Sequence, residues 1–443
     1  MLSDGPPPFG ALSGDQGPAV RVRPPGPSSR TWALRLRHRL APMGPPRSNK
    51  SERLPIVLSL AKGDNVLDVD GNRYVDLAQG FGSLLLGHGH PSILRTLELQ
   101  APRMLQALGD MLSADAKVAL LERLAALYPG DAQVILGQSG ADAVTAALKT
   151  AKLYTKKPGV VAFEGAYHGL SYGPLAICGL RESYREPFLE QLNPSVEFLP
   201  YPASEAEASI VYERLRKRLQ ANDIGAVVVE PILGRGGCVL PPQGFIGQLL
   251  TLAHERGALL ISDEIWTGLG RAGKWLFSVE AGVTPDLICL GKGLGGGLPI
   301  SACLGARDVM QSWAREAEVV HTTTFAGAPL ACATAITLLN ELERGQLIER
   351  SRTFGESFRA RLVARLGERA RVSGSGLMLG IDLGSERGVG GRIAQALLER
   401  GYLVTSGGTH RDTLVLTPAL TFSEPLVDGF IDALSEVLGG ASA

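Results

Sequence analysis

Residues Leu259–Pro299 read LLISDEIWTGLGRAGKWLFSVEAGVTPDLICLGKGLGGGLP, and the reading of this stretch decides the fold. It holds two short apolar runs, Ala258–Ile261 and Leu287–Leu290, rich in branched residues and set off by Gly and Pro. Runs of this kind are the mark of parallel strands buried on both faces. Ser262-Asp263-Glu264 follows the first run and Gly291-Lys292-Gly293 the second. In an open parallel sheet, residues just past the carboxyl ends of the strands line the ligand crevice. The roughly 30 residues between Asp263 and Lys292 suit one crossover of a βαβ unit, so both side chains are expected in one crevice.

A carboxylate and an amine placed there suit pyridoxal phosphate chemistry, which needs a lysine for a Schiff base and an acid for the pyridinium nitrogen. The plainer alternative is a surface ion pair beside a flexible glycine turn, a common feature that carries little energy.

The surrounding chain bounds the alternatives. With 443 residues, 45% of them hydrophobic and 20% charged, it can build more than one core, and a soluble two-domain protein is expected. A formal net charge of zero speaks against a nucleic-acid-binding surface as the main function. No apolar run reaches membrane-spanning length. Five scattered cysteines without CxxC spacing read as thiols of a reducing, cytoplasmic compartment, not as a disulfide frame or a zinc site.

Outward from the central stretch, the same grammar recurs. Val134–Leu136 leads into Gly137-Gln-Ser139-Gly140-Ala141-Asp142 and a helical run to Leu153, an arrangement able to hold an anion at a helix start or simply to cap it. Gly159–Phe163 delivers Glu164-Gly-Ala-Tyr167-His168-Gly169, and Val227–Val229 delivers Glu230-Pro231 and Gly234-Arg235-Gly236-Gly237. Strands alternating with helices from about 130 to 305 indicate a doubly wound, mostly parallel α/β sheet. A hairpin is expected over Val66–Leu77, turning at Asp70-Gly71-Asn72. Gly87-His88-Gly89-His90-Pro91 reads as a loop before a helix, not as a metal site. The first 29 residues, dominated by Pro, Gly and Ser, are expected to be a disordered tail, and Arg30–Leu40 a short docking helix.

With Ser139-Gly140-Ala141, Tyr167-His168-Gly169, Glu230-Pro231, Asp263-Glu264-Ile265 and Gly291-Lys292-Gly293 in this order, the sequence resembles the class III aminotransferases, pyridoxal phosphate enzymes of fold type I. The resemblance spans about residues 50 to 440. It implies an N-terminal segment (30–100) contributing to a small domain, a large cofactor-binding domain (101–340) and a small α+β domain (341–443). It implies that Lys292 holds the cofactor as a Schiff base and shuttles a proton, and that Asp263 keeps the pyridine nitrogen protonated. Ser139, Gly140 and Ala141 would bind the phosphate, Tyr167 and Ile265 would cover the two ring faces, and His168 and Glu230 would complete the cofactor shell. Thr324 would reach the phosphate of a neighbouring subunit, making a homodimer with its site at the interface. Phe81 would line the substrate pocket. The reaction implied is amino transfer from an amino acid, ω-amine or diamine to a 2-oxo acid.

Three departures bear on substrate. Asp142 stands where such proteins often have Glu. Trp266 stands where they often have a Gln that contacts the cofactor's phenolic oxygen. Leu414-Val415-Leu416-Thr417-Pro418 lacks the arginine of the resembling Leu-Arg-Leu-x-Pro pattern, while Arg235 replaces an acid. Arg235 is therefore a candidate carboxylate clamp, because its planar fork matches a carboxylate. A racemase or aminomutase on the same cradle is the alternative activity. A nucleotide-binding module using Gly293–Gly297 is a remote one, since that run lacks the GxGxxG and Walker spacings.

Overall fold

The computed structural model describes residues 12–42, 54–109, 111–314, 318–384 and 386–440. Three strands open it: β1 (Leu58–Lys62), β2 (Asn65–Asp68) and β3 (Arg73–Asp76). The β2–β3 hairpin turns where expected. The Asp68 carboxylate accepts the backbone N–H groups of Asp70 and Asn72, each at 2.9 Å, and the Tyr74 hydroxyl at 2.7 Å. Gly71 takes φ +83°, open to glycine at little cost.

The large sheet contains β4 (Ala132–Gly137), β5 (Gly159–Phe163), β6 (Val196–Leu199), β7 (Ile224–Val229), β8 (Leu259–Asp263), β9 (Leu287–Leu290) and β10 (Ser301–Ala306). Their spatial order is β4-β10-β9-β8-β7-β5-β6. The strands β9, β8, β7, β5 and β6 pair in parallel, whereas β10 runs antiparallel to both β4 and β9. Every residue of β5, β7, β8 and β9 is buried, so the continuous apolar runs belong to strands covered on both faces.

The third layer is smaller. Strands β11 (Arg371–Ser375), β12 (Met378–Asp382), β13 (Tyr402–Leu403), β14 (Thr405–Gly407) and β15 (Thr413–Leu416) follow the long helix Leu347–Leu366. Four of them form the antiparallel sheet β11-β12-β15-β14, while β13 pairs in parallel with β3. The C-terminal segment and the N-terminal hairpin thus share a sheet. The helix Pro329–Arg344 runs straight through position 340, where the sequence suggested a domain boundary. The glycine run after Lys292 serves packing: a Cβ on Gly293 would stand 2.4 Å from Leu85 Cδ1, and one on Gly296 2.7 Å from Ile93 Cδ1.

A disordered tail over residues 1–29 is not what the structure has from Leu12 onward; residues 1–11 lie outside the described residues. Leu12 is buried, Gln16 exchanges hydrogen bonds of 2.9 and 2.8 Å with Asn65, and Ala19 pairs with Arg73 through both backbone groups. Asn72 Oδ1 accepts from the N–H groups of Arg21 and Val22. Asp70 accepts from Ser28 and Ser29, the open amides of the helix Pro27–Arg37. This segment has too few apolar residues for a core of its own, but the hairpin supplies its polar partners. Asn72→Ala removes the shared acceptor and is expected to lower stability by about 1–3 kcal/mol. The check is a lower melting temperature with faster proteolysis among residues 12–26; no change in either would contradict the docking.

Candidate active site

Four chain segments converge at the carboxyl edge of the large sheet. Asp263 ends β8, Lys292 follows β9, Tyr167 and His168 follow β5, and the helix Gly140–Thr155 starts just after β4. That helix packs across β7 to β10, which points its N-terminus at the edge where Asp263 and Lys292 emerge. Ile265 joins the segments: a Cβ on Gly140 would lie 2.8 Å from its Cδ1, and one on Gly291 3.3 Å from its Cγ2. Glycine at both positions is a packing requirement.

The start of the helix is organised by a capping box. Ser139 Oγ accepts the Asp142 N–H at 3.2 Å, and Asp142 Oδ2 accepts the N–H groups of Ser139 at 2.9 Å and Gln138 at 3.0 Å. Asp142, the mild departure from the resembling pattern, performs this role with its shorter side chain. The Ser139 hydroxyl and amide are thereby occupied, and the amides of Gly140 and Ala141 remain without an acceptor at the positive end of the helix dipole. A Cβ on Gly169 would come within 2.9 Å of Ala141 Cβ, so glycine there lets the Tyr167–Gly169 loop close over this start.

Asp263 is buried and shared between two groups. Its Oδ2 lies 2.7 Å from His168 Nδ1, and its Oδ1 accepts the Ile265 N–H at 3.1 Å. Burial alone would push the His168 imidazole down; its hydrogen bond to Asp263 and the charges of Asp263 and Glu230 outweigh burial and raise it. Glu230 places its carboxylate on the Tyr167 N–H at 2.8 Å and the Gly234 N–H at 3.0 Å, fixing both loops from beneath. Burial, with the nearby Asp263 charge, raises its pKa against the pull of His168 and those two amides.

Lys292 sits at φ +42°, a strained region for a lysine that clusters at functional sites. Its Nζ lies 4.0 Å from the centre of the Trp266 ring. The residue retains some solvent contact, yet burial of its amine pushes the pKa down to about 8, against the pull of Asp263 and Glu230 and with the push of Arg235 and Arg271. Trp266 is wedged between glycines: a Cβ on Gly82 would be 2.6 Å from its Nε1, and one on Gly234 2.5 Å from its Cε3. Arg235 lies over the Tyr167 ring, its Cζ 4.5 Å from the centroid.

Not every sequence-predicted residue joins this group. Thr324 is exposed; its backbone carbonyl accepts from Gln106, and it is Thr323 that bonds to Gln138, at 2.6 Å, beside the helix start. Phe81 is 65% exposed, in a run of positive φ from Gln79 to Gly82. Sequence reading missed Arg271, fully buried, whose Nη1 donates to the carbonyls of Leu377 and Pro418 and whose pKa burial pushes down to about 9. The glycines at 268, 270 and 273 around it were the available signal. It also missed the apolar cluster of Ile232, Cys238, Trp266, Ala272, Met378 and Val415, which takes in the middle of the Leu414–Pro418 run.

Orphaned atoms test the fit of a ligand here. Among the described residues His168 Nε2 and Trp266 Nε1 are buried without partners, and the Gly140 and Ala141 amides stand in the first turn of the helix, where no intrahelical acceptor exists. Open amides for a phosphate, a buried carboxylate for a ring nitrogen and a poised amine for an aldehyde together match pyridoxal phosphate.

Comparison with known proteins agrees with this geometry. The family model for class-III aminotransferases matches residues 47–438. The acetylornithine aminotransferase of Methanosarcina mazei is 34% identical over 386 residues, covering 87% of this chain and 92% of that relative. The ornithine aminotransferase of Toxoplasma gondii superposes with a TM-score of 0.83 at 27% identity, covering 94% of this chain and 95% of that one. A pyridoxal-phosphate-bound amine transaminase from an uncultivated Pseudomonas species also gives a TM-score of 0.83, at 25% identity over 90% of this chain and 98% of that one. The chain belongs to the class III aminotransferase family. It is a pyridoxal-phosphate-dependent enzyme that uses an amino donor and an oxo-acid acceptor.

The depressed lysine has a measurable consequence. Only the unprotonated amine attacks an aldehyde, and with a pKa near 8 its population grows as pH rises through 8. Uptake of pyridoxal phosphate by the cofactor-free protein is expected to accelerate about tenfold per pH unit below that value and level off above it. Acceleration continuing to the ordinary lysine value of 10.5 would contradict this environment.

Proposed function

We propose that Lys292 and Asp263 carry the chemistry and that the enzyme moves an amino group from an ω-amine or diamine donor to a 2-oxo acid whose carboxylate is held by Arg235. The observation that carries the donor side is the apolar cluster around Val415 and Trp266, none of whose members is a cation that could pair with a charged carboxylate beside the reacting nitrogen. On the acceptor side, Arg235 is the cation over the Tyr167 ring.

The cofactor supplies an aldehyde that condenses with amines and a protonated ring that takes up electrons. Within this reading the Gly140 and Ala141 amides grip its phosphate, with Ser139 shaping the turn. Asp263 holds a proton on the ring nitrogen, and His168 keeps that carboxylate oriented. Tyr167 and Ile265 would cover the ring, while Glu230 fixes the backbone of the Tyr167 and Gly234 loops. The Lys292 amine would take the proton from the donor carbon and deliver it to the carbon that was the cofactor's aldehyde, leaving the donor as an oxo product after hydrolysis. Trp266 and Phe81 shape the donor side.

We further place the site in a homodimer. Leu105, Leu108, Leu112, Val319 and Phe325 are each more than half exposed, and the Gln106–Thr324 contact joins their two segments into one surface. Apolar patches of this kind mark association surfaces. Thr324 and Phe81 would then act next to the partner's site. The five free, buried cysteines favour a reducing, cytoplasmic setting; no helix among the described residues is long and apolar enough to cross a membrane.

Two measurements test the reading. Mixed with a diamine and no acceptor, the holoenzyme should release about one equivalent of oxo product per chain and show ping-pong kinetics once a 2-oxo acid is added. Racemisation of a chiral amino acid without net transfer would instead establish the racemase reading. Arg235→Ala should raise KM for the 2-oxo acid about tenfold or more, and an unchanged KM would remove the clamp from the account. For the dimer, Leu108→Asp should shift the protein towards monomer in light scattering and lower activity with it, whereas a monomeric, fully active parent protein would contradict it.

A further inference from the structure

Two further cations stand close to Arg235, outside the roles assigned so far. Three segments bring them together: the Cys178–Arg185 loop after β5, the Gly234–Gly237 turn after β7 and the Gly407–Thr413 turn between β14 and β15. Gly408 N–H donates to the Arg235 carbonyl at 2.9 Å, and Arg411 N–H donates to the Gly408 carbonyl at 3.1 Å. Arg181 reaches into the same turn, its Nη2 3.4 Å from the Gly408 carbonyl and its Nε 3.3 Å from that of Thr409. Its Nη1 lies 3.4 Å from the Tyr184 hydroxyl. Arg411 thus stands on this turn, Arg181 reaches into it with its side chain, and Arg235 is tied to it through its backbone carbonyl, with Tyr167 under the Arg235 guanidinium.

No carboxylate lies within 4.0 Å of any of these three guanidiniums among the described residues. The acids adjacent to them in sequence are Glu182, which opens the short turn Glu182–Tyr184, and Asp412, whose Oδ1 accepts the Thr413 hydroxyl at 3.3 Å. Arg181 accordingly has its pKa pushed down, by burial first and then by the charges of Arg411 and Arg235, with Tyr184 opposing. Like charges gathered without a counter-ion repel one another, and an anion from outside relieves the repulsion. The contacts Arg181 makes within the protein are long and go to neutral acceptors, so its fork can exchange them for an ionic partner.

We propose that Arg181 and Arg411 form an anion subsite beside Arg235, and that the enzyme's substrate carries a phosphate monoester remote from its reacting nitrogen or carbonyl. The inference rests on the reading above in which Arg235 is committed to the carboxylate of the 2-oxo acid. Two guanidinium forks then remain for one further group. A phosphate dianion matches them in charge and offers three oxygens to two planar donors, whereas a single carboxylate is satisfied by one fork.

Calorimetric titration of the holoenzyme with inorganic phosphate, in chloride buffer of matched ionic strength, tests this. The cofactor's own phosphate already fills the helix N-terminus, so the titration reports the arginine subsite. Saturable binding of one phosphate per chain is expected, weakened about tenfold or more in both Arg181→Ala and Arg411→Ala, the scale of one charge-assisted pair. Absence of saturable binding, or binding indifferent to both substitutions, overturns the subsite. Tighter binding of glutarate than of phosphate, lost in the same variants, overturns the phosphate assignment. The visible absorbance of the bound cofactor and the diamine reaction are read separately on the same samples, so failure of the amino-transfer reading is seen independently.

Discussion

Placing an amine and a carboxylate at the same edge of a sheet, both away from bulk water, strips each of hydration that neither recovers unaided. Much of this structure is a response to that constraint. Asp263 is steadied by His168 and by the Ile265 amide. The Lys292 amine is set against the indole of Trp266, and its proton is easier to lose than an ordinary lysine's. Glu230, a second buried carboxylate close by, is bound to two backbone amides and so positions loops rather than competing for the lysine. The crossover from β4 through its helix supplies the remaining polarity, a pair of open amides aimed at the same edge.

The substrate side follows a different logic. Where the resembling pattern carries an arginine, this chain packs Val415 among Met378, Ile232 and Trp266, and β15 is buried throughout. On the proposed reading, the cation for a substrate carboxylate is Arg235, over the Tyr167 ring. Redistributing one kind of charge within an unchanged cofactor frame would alter which substrates fit while leaving the reaction the same. Gly82 and Gly234, one on either edge of the indole, show how closely the surrounding backbone is fitted to Trp266.

Much of this was legible in the sequence, for physical reasons. Parallel strands covered on both faces must be continuous apolar runs, so β5, β7, β8 and β9 announce themselves, and the polar residues at their ends mark the crevice. The capping box at Ser139–Asp142 is likewise a local pattern. Features that depend on distant partners were not legible. Residues 12–29 look too polar and too rich in Pro and Gly to be ordered, because their hydrogen-bond partners Asn65, Asp70 and Asn72 lie on a hairpin further along the chain. Arg271 reads as a surface residue until its acceptors at 377 and 418 are brought to it by the fold. Arg181, Arg235 and Arg411 come from three segments spread over more than 200 residues of chain, a spacing no local pattern can reveal.

Borohydride reduction of the holoenzyme, followed by mass analysis of its peptides, reads out which residue holds the cofactor. One phosphopyridoxyl group per chain is expected, carried on the peptide containing Lys292 and on no other lysine. A label on another lysine, a label spread over the surface, or none at all would contradict the assignment of Lys292 and the site built around it.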